Sequence, residues 1–224
     1  MIKDIIIAID GHSGCGKSTT SRLLAKNLNF KYLDSGAMYR AVTLYFVKNG
    51  LSQNDKKKIK DELDKIIIDF KYVEENQHIF LNNHDVENEI RSDEISNQVS
   101  LFSSNSSIRK FLVSKQKAFG INKNIVVEGR DITTVVFPDA EIKVFMTADI
   151  QVRAKRRFNE IKLKNPDITY SDVIKNLEDR DIQDSTRKDS PLKVADDAFI
   201  LDTSDLEIND QVDKIIDFIS NKFS

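Results

Sequence analysis

The residues with the clearest chemical potential lie near the amino terminus, in a glycine-rich segment. It reads Gly11-His12-Ser13-Gly14-Cys15-Gly16-Lys17-Ser18 and is followed by Thr19. Glycines let the backbone curl so that successive N–H groups point inward at phosphate oxygens. The lysine of such a loop can reach the β- and γ-phosphates, and the hydroxyl after it can ligate Mg²⁺. The pattern therefore predicts that residues 11–19 bind the phosphates of a nucleoside triphosphate.

The segments on either side of the loop match what this phosphate-binding motif, the P-loop, requires. Residues 5–9 form a continuous, mostly β-branched apolar run, which is typical of a strand buried on both faces. Residues 17–27 follow with helical periodicity, and a helix that begins here adds its positive N-terminal dipole to the site. A chance glycine turn would lack this context. Strand, glycine loop and helix together predict the opening of a doubly wound α/β fold.

Composition narrows the possible partners. The chain has 224 residues, of which 31% are charged, but its formal net charge is only −2. No overall field therefore favours nucleic acid or membrane as a partner. Cys15 is the single cysteine, which excludes an intramolecular disulfide and fits a cytoplasmic protein. The apolar run near the start is too short for a signal peptide, and no stretch approaches the roughly 20 apolar residues of a membrane helix. We expect a monomer.

Charged residues also follow a second predicted strand. Arg130 and Asp131 come directly after the apolar run 125–127, and Glu128 ends that run. In open α/β sheets, ligands bind beyond the carboxyl ends of the strands. The Arg130–Asp131 pair is therefore predicted to lie in a binding site. Glu128 is placed to hold Mg²⁺ through water, and its alternative role is that of a buried partner for an arginine.

Two groups of arginines have helical spacing. Arg180, Asp184 and Arg187 fall at i, i+4 and i+7, and they share one face if the helix persists. They can aim guanidinium groups at phosphate, or they can form a solvated ladder of salt bridges. Arg153 and Arg157 share a face of a cation-rich helix. They either close over the triphosphate as part of a mobile lid or belong to a solvated basic surface.

Several P-loop classes are disfavoured by motifs that the sequence lacks. No glycine has an aspartate three residues before it, and residues 122–125 resemble the guanine-binding motif of GTPases without its aspartate. The dinucleotide-binding glycine pattern fails at Thr19. A kinase for a small molecule or a nucleotide remains, and a nucleotide-binding ATPase or switch with a protein partner is the alternative.

Several longer motifs of the sequence are typical of one particular kinase family. They are, in chain order, Asp34-Ser35-Gly36-Ala37-Met38-Tyr39-Arg40, Glu89-Ile90-Arg91, Glu128-Gly129-Arg130-Asp131 continuing into Thr134-Val135-Val136-Phe137-Pro138-Asp139-Ala140, then Arg180-Asp181, Asp184, Arg187 and Pro191-Leu192. Across essentially its whole length, the chain resembles the bacterial cytidylate kinase family, which phosphorylates CMP and dCMP with ATP. One departure is Thr133, where the family commonly has glycine. If that position needs a positive φ, the local turn must differ here.

The resemblance implies a role for each matching residue. Ser100, Arg109 and Asp131 would read the cytosine ring. Ser35, Arg180 and Asp184 would lie near the ribose, and Arg40, Arg130 and Arg187 would bind phosphate. The implied catalytic set is Lys17, Arg130, Arg153, Arg157 and Arg187. ATP would bind at residues 11–19, and Mg²⁺ would be held by Ser18 and Glu128, partly through water. Other acceptors, such as a different nucleoside monophosphate or shikimate, remain open.

The expected architecture is a single nucleoside monophosphate kinase domain over residues 1–224. It would have the P-loop NTPase fold, an α/β arrangement with a central parallel sheet flanked by helices. We expect the core at residues 1–36 and 107–224, a small inserted monophosphate-binding subdomain at about 37–106, and a lid at about 153–170. A hairpin is predicted at 66–72 and 78–81. Ser35 and Gly36 are predicted to cap a helix that begins near Ala37.

Overall fold

The structure, a computed structural model, describes residues 3–74, 76–163 and 166–224. Within these ranges the strands are β1 (Ile6–Gly11), β2 (Lys31–Asp34), β3 (Ile68–Val73), β4 (Asn76–Leu81), β5 (His84–Asp85), β6 (Ile125–Gly129), β7 (Ile142–Thr147) and β8 (Phe199–Asp202). The α-helices are α1 (Lys17–Leu28), α2 (Ser35–Lys48), α3 (Lys56–Leu63), α4 (Asp93–Ser103), α5 (Ser106–Phe119), α6 (Ile150–Lys162), α7 (Tyr170–Thr186) and α8 (Ile208–Phe223). Five positions on which predictions fell lie outside the described residues: Met1 and Ile2 of the expected domain, Glu75 in the turn of the hairpin, and Lys164 with Asn165 in the lid.

A five-stranded sheet in the order β2-β6-β1-β7-β8 organises the fold. The central strand β1 runs parallel to both β6 and β7, so that Ile7 pairs with Val126 on one side and with Ile142 on the other. β8 continues the parallel arrangement beside β7. The central strands are continuous apolar runs because helices cover the faces of a parallel sheet. The predicted α/β class with a central parallel sheet is confirmed.

Helices α1 and α8 pack on this sheet and enclose its main core. Leu24 of α1 and Ile215 of α8 are fully buried in one cluster with Ile7, Val126 and Val144 of the strands. Full burial of such a side chain stabilises the fold by about 1.5–3 kcal/mol. This packing holds the beginning of α1 at the carboxyl end of β1, which is where the glycine loop lies.

The chain forms two compact units. One contains the described residues up to Leu33 together with Phe119–Ser224, and the other is Asp34–Ala118. In the second unit, β3, β4 and β5 form an antiparallel sheet, and Phe46 of α2 stacks on Phe102 of α4 with ring centroids 5.7 Å apart. The predicted hairpin is therefore present as β3 and β4. The sequence did not predict the third strand, because a two-residue strand has no readable periodicity.

One local prediction was wrong. The helix α2 begins at Ser35, and Asp34 is its cap, since the Asp34 carboxylate accepts a hydrogen bond from the Ala37 N–H at 2.8 Å. Ser35 and Gly36 thus belong to the first turn and do not precede it.

The helix α7 ends at Thr186, and Arg187 leaves the helix with ψ near 144°. The condition under which Arg180, Asp184 and Arg187 would share one helical face is therefore not met.

The backbone at Thr133 shows whether this position needs the positive φ that favours glycine. It lies in a π-helical segment, Ile132–Val136, and does not have a positive φ. The turn therefore needs no glycine here. Among the described residues, no helix combines the length and the hydropathy that crossing a membrane requires.

Candidate active site

The glycine loop joins the end of β1 to the first turn of α1. At Gly11, a Cβ atom would lie 1.9 Å from the carbonyl oxygen of Met146 on β7, so the close approach of the two strands requires glycine. Gly16 takes φ 90° directly before α1 begins at Lys17. That left-handed conformation favours glycine and turns the backbone into the helix. The predicted strand, loop and helix are all present.

Lys17 is the buried cation of this loop. It is only 5% exposed, and its Nζ donates to the His12 carbonyl oxygen at 2.6 Å, with the Cys15 Sγ 3.7 Å away. Burial lowers the pKa of Lys17, and the charge of Arg130 lowers it further. No carboxylate of the described chain forms an ion pair with it. A buried ammonium whose hydrogen-bond partners are neutral is suited to an anionic ligand.

The variable positions of the loop are packed against its scaffold. Cys15 is fully buried, and its Sγ donates to the His12 carbonyl oxygen at 3.1 Å. The His12 ring contacts Phe145 edge-on at 5.6 Å, and burial lowers the pKa of this imidazole. In the part of the chain that the structure describes, no group of three or more His, Cys, Asp or Glu side chains could hold a metal. Cys15 and His12 are thus both in contact with the rest of the loop and its strand.

Arg153 of α6 braces the loop from outside. Its guanidinium donates to the carbonyl oxygens of Ser13 at 3.2 Å and Ala148 at 3.0 Å, and it pairs with Asp181 at 2.7 Å. Arg153 is 6% exposed. Arg157, one turn later, pairs instead with Glu160 at the surface at 3.0 Å. The two arginines predicted for the lid thus have different environments: Arg153 is buried against the loop, and Arg157 is half-buried beside an exposed glutamate.

A second group of cations lies around the Asp184 carboxylate in the same compact unit as the loop. Arg130 donates from Nε to Asp184 at 2.7 Å, and Arg187 lies 3.5 Å from the other oxygen of Asp184. Arg187 is also 4.0 Å from Asp131. Burial would raise the pKa of Asp184, but the charges of Arg130 and Arg187 outweigh it, so its pKa lies below the ordinary value. This group, comprising Arg130, Asp131, Arg180, Asp184 and Arg187, is called the arginine cluster below.

Arg180 is the member of the arginine cluster that lacks a partner. Its buried Nε has no hydrogen-bond partner among the described residues. Burial lowers the pKa of Arg180 to about 10, with the nearby charge of Arg130 as the next cause. The arginine cluster contains three cations and two carboxylates, and a low dielectric strengthens the repulsion among the cations. The arginine cluster is therefore electrostatically suited to an added anion.

Glu128 and Ser18 have the donor chemistry that Mg²⁺ prefers. Glu128 is 4% exposed at the end of β6, and its Oε1 accepts a hydrogen bond from the Tyr32 hydroxyl at 2.9 Å. Ser18 is exposed on the first turn of α1, as is Thr19. A carboxylate and a hydroxyl are hard oxygen ligands, and Mg²⁺ commonly uses one or two of them together with substrate phosphates and water. The residues present fit the ion.

The remaining predicted residues lie in the second compact unit. Ser35 is buried in the first turn of α2. Arg40 donates to the Ile90 carbonyl oxygen at 3.1 Å and to the Ser96 hydroxyl at 2.9 Å. Arg109 of α5 is 3% exposed, lies 5.3 Å from the ring centroid of Tyr39, and donates to the Ser103 carbonyl oxygen. Ser100 is half-buried on α4. Their roles as CMP-binding residues stay predictions.

Sequence reasoning missed three polar contacts that organise the site. The Asp10 carboxylate accepts hydrogen bonds from Ile132 and Thr133. The Thr203 hydroxyl donates to the Cys15 carbonyl oxygen at 2.9 Å, which ties β8 to the loop. Thr20 of α1 donates to Gln211 of α8 at 2.6 Å. The only available signal was position, since Asp10 and Thr203 stand at or after the carboxyl ends of predicted strands.

Known proteins resemble this chain over its whole length. The family model described as cytidylate kinase matches residues 7–221. A cytidylate kinase of Fusobacterium nucleatum is 46% identical over 98% of this chain and 97% of that protein. One from Parabacteroides distasonis is 46% identical over 94% of each chain. Among solved structures, a shikimate kinase from Acinetobacter baumannii covers 98% of this chain and 96% of its own, with a TM-score of 0.51 and 17% identity. At that identity the likeness shows the fold alone.

Proposed function

The chain belongs to the cytidylate kinase family, and we propose that it transfers the γ-phosphate of ATP to CMP and dCMP. The observation that carries this proposal is the pairing of two anion-binding features in one compact unit. One is the glycine loop with its buried Lys17, and the other is the arginine cluster with its unpartnered Arg180 Nε. A loop that binds a triphosphate does not by itself need a second set of arginines. An acceptor that carries its own phosphate does.

The reaction follows from the charge of the acceptor. An oxygen of the CMP phosphate attacks the γ-phosphorus of ATP, and the new O–P bond forms in line with the bond that breaks. The electron pair of the broken bond stays on the oxygen of ADP. Because the attacking oxygen is already anionic at pH 7, no catalytic base is needed. The protein contributes positioning and neutralisation of charge.

On the donor side, the loop backbone from Gly11 to Thr19 surrounds the phosphates, with Cys15 and His12 as its packed scaffold. Lys17 exchanges its contact with the His12 carbonyl oxygen for phosphate oxygens, which gain more from a charged donor than a neutral carbonyl does. Ser18 and Glu128 would hold Mg²⁺, Glu128 through water. When bound, the ion neutralises charge on the phosphates.

On the acceptor side, Arg130 and Arg187 bind the CMP phosphate, and Asp184 holds both guanidinium groups while accepting from a ribose hydroxyl. The resemblance assigns Arg180 and Ser35 to the ribose. The resemblance assigns Ser100, Arg109 and Asp131 to the cytosine ring and Arg40 to the phosphate. Asp131 directly follows Arg130 in the chain and lies 4.0 Å from Arg187, so it belongs to the same group of charged side chains.

The two arginines of α6 contribute differently. Arg153 lies against the Ser13 carbonyl oxygen, so its charge already stands beside the phosphate-binding loop. Arg157 is paired with Glu160 at the surface. An exposed pair of this kind contributes about 0.2–1 kcal/mol, so Arg157 can exchange it for a phosphate oxygen at little cost. Closure of a lid at about residues 153–170 would exclude water and prevent the loss of ATP to hydrolysis.

A coupled assay of ADP release separates this proposal from its alternatives. We expect CMP and dCMP to support the fastest release, with UMP, AMP and shikimate well below them. Fast release with shikimate or another nucleotide instead would assign a different acceptor. Release at the same rate without any acceptor would indicate an ATPase or switch and contradict the proposal.

The expected setting of the protein is also part of this proposal. We propose a monomer in the cytoplasm that binds ATP and CMP, with neither nucleic acid nor membrane as a partner. The near balance of 34 basic and 36 acidic residues supports the absence of a polyanionic partner. Light scattering coupled to gel filtration tests the first point. A mass of twice 25.6 kDa would contradict the monomer.

A further inference from the structure

Asp10 is a fully buried carboxylate that the phosphoryl transfer does not use. It is the last residue of β1 before Gly11, where the glycine loop begins. Its Oδ1 accepts a hydrogen bond from the Ile132 N–H at 2.9 Å. Its Oδ2 accepts from the Thr133 N–H at 2.8 Å and from the Thr133 hydroxyl at 2.6 Å. Three donors from one short segment therefore converge on this single side chain.

The segment that Asp10 holds comes directly after Arg130 and Asp131. The Asp131 carbonyl oxygen accepts hydrogen bonds from the N–H groups of Val135 and Val136, which closes the π-helical turn behind it. The N–H groups of Ile132 and Thr133 are at the beginning of this turn, where no helical carbonyl precedes them. Asp10 supplies the missing acceptors. It thereby fixes the backbone that carries two members of the arginine cluster.

We propose that Asp10 is a positioning residue, which together with the Thr133 hydroxyl sets the Arg130–Asp131 turn and so controls the binding of the acceptor nucleotide. The inference rests on the proposed function in so far as the acceptor is CMP. Asp10 does not contact a phosphate of either substrate. It acts through its hydrogen bonds to the residues that follow Asp131. Because Gly11 is the next residue, the same strand end carries both the loop for the donor and the anchor for the acceptor turn.

Chemistry explains why a carboxylate occupies this position. Burial raises the pKa of Asp10 to about 6, so keeping the charge is costly. An amide side chain has only one oxygen, and its NH₂ group would face the Thr133 N–H. A carboxylate can accept all three hydrogen bonds, and bonds to a charged group are stronger than neutral ones. The Thr133 side chain adds a donor that a glycine at this position could not provide.

Thr133→Val tests the proposal with the smallest change, because it removes the hydroxyl and keeps the shape and both N–H donors. We expect the KM for CMP to rise about five- to twentyfold, because part of the free energy of the lost hydrogen bond appears as weaker CMP binding, while the KM for ATP changes less than about twofold. Thr133→Ser keeps the hydroxyl and is expected to restore the KM for CMP. Asp10→Asn is expected to have a larger effect of the same kind.

Thr43→Val is a matched control. Thr43 is also fully buried, and its hydroxyl donates to the Tyr39 carbonyl oxygen within the same helix at 2.8 Å. Its valine variant loses one buried hydroxyl without touching the Asp131 turn, so we expect the same KM values as in the wild type. An unchanged KM for CMP in Thr133→Val, or equal rises in both KM values, would overturn the proposal. So would failure of Thr133→Ser to restore the KM.

A second measurement does not depend on CMP. Amide hydrogen exchange of the free protein, followed by mass spectrometry, reports on the peptide that contains residues 130–136. We expect Thr133→Val to accelerate exchange there at least about fivefold and to leave the peptide with residues 11–19 unchanged. If the wild type does not phosphorylate CMP, the proposed function fails but this result stands. If exchange at 130–136 is unaltered, the positioning role fails whatever the acceptor is.

Discussion

The burial of the Asp10 carboxyl can be tested quantitatively through the pH dependence of the free energy of unfolding. Burial raises the pKa of this carboxyl from its ordinary 3.8 to about 6, against the opposing hydrogen bonds from Thr133 and Ile132, and the charge of Asp131 raises it further. We expect the free energy of unfolding of the wild type to contain a contribution that falls as the pH rises between these two values. Replacement of Asp10 by asparagine removes that contribution, because asparagine does not titrate.

The sign follows from proton binding. Between pH 3.8 and about 6, the folded protein keeps the Asp10 proton while the unfolded chain has lost it. Raising the pH therefore destabilises the folded state through this group. The difference between the two pKa values corresponds to about 3 kcal/mol in total, since one pKa unit is worth about 1.36 kcal/mol. About 2 kcal/mol of this falls between pH 4.5 and 7.5, where both proteins can be studied.

Urea unfolding of the wild type and of Asp10→Asn at several pH values measures the effect. The free energy of unfolding of the variant, minus that of the wild type, is expected to rise by about 2 kcal/mol from pH 4.5 to 7.5. The asparagine also loses hydrogen bonds, but that loss shifts the whole difference and leaves its pH dependence intact. A difference that stays constant within about 0.5 kcal/mol would refute the reasoning about burial.

Three further predictions concern the donor, the base and the metal. Lys17→Ala is expected to lower kcat by about 10²–10³ while the Kd for CMP, measured calorimetrically, changes little, and near-normal turnover would disprove its role in the loop. Asp131→Ala is expected to lower the ratio of CMP to UMP turnover more than it raises the KM for ATP, and an unchanged ratio would remove Asp131 from base recognition. Glu128→Gln is expected to raise the Mg²⁺ concentration needed for half-maximal activity about tenfold, and a superimposable Mg²⁺ titration would leave Glu128 with a packing role only.

The sequence predicted the features whose cause is local. The strand β1 and the loop after it could be read because a continuous apolar run and fixed glycines have few alternative structures. The hairpin β3–β4 was likewise predictable from a polar turn between two short apolar stretches. The cap of α2 shows the limit of this kind of reading. Asp34 and Ser35 are both good capping residues, and the choice between them depends on where β2 ends.

Contacts between distant parts of the chain could not be predicted from the sequence. In the sequence, Thr133 was a departure from an expected glycine and had no predicted partner. The fold brings its hydroxyl to the Asp10 carboxylate, 123 residues away, to which it donates a hydrogen bond. Arg153 and Arg157 share one helical face and had the same predicted role, yet Arg153 is buried against Ser13 and Arg157 is half-buried in a pair with Glu160. Charge and periodicity in the sequence indicate which residues are candidates for a site. The environment of each side chain depends on its contacts with residues that are distant in the sequence.

The arginine cluster shows how partner choice separates two interpretations that the spacing left open. A solvated ladder along one helix would pair each arginine with an acidic neighbour at three or four residues and leave all of them in water. Instead, α7 ends before Arg187, and Asp184 receives its shortest contact, 2.7 Å, from Arg130 at the end of β6. Arg180 is left with a buried Nε that no described residue satisfies. An anionic ligand would supply the acceptor that this Nε needs, which is why Arg180 belongs among the residues proposed to bind the acceptor nucleotide.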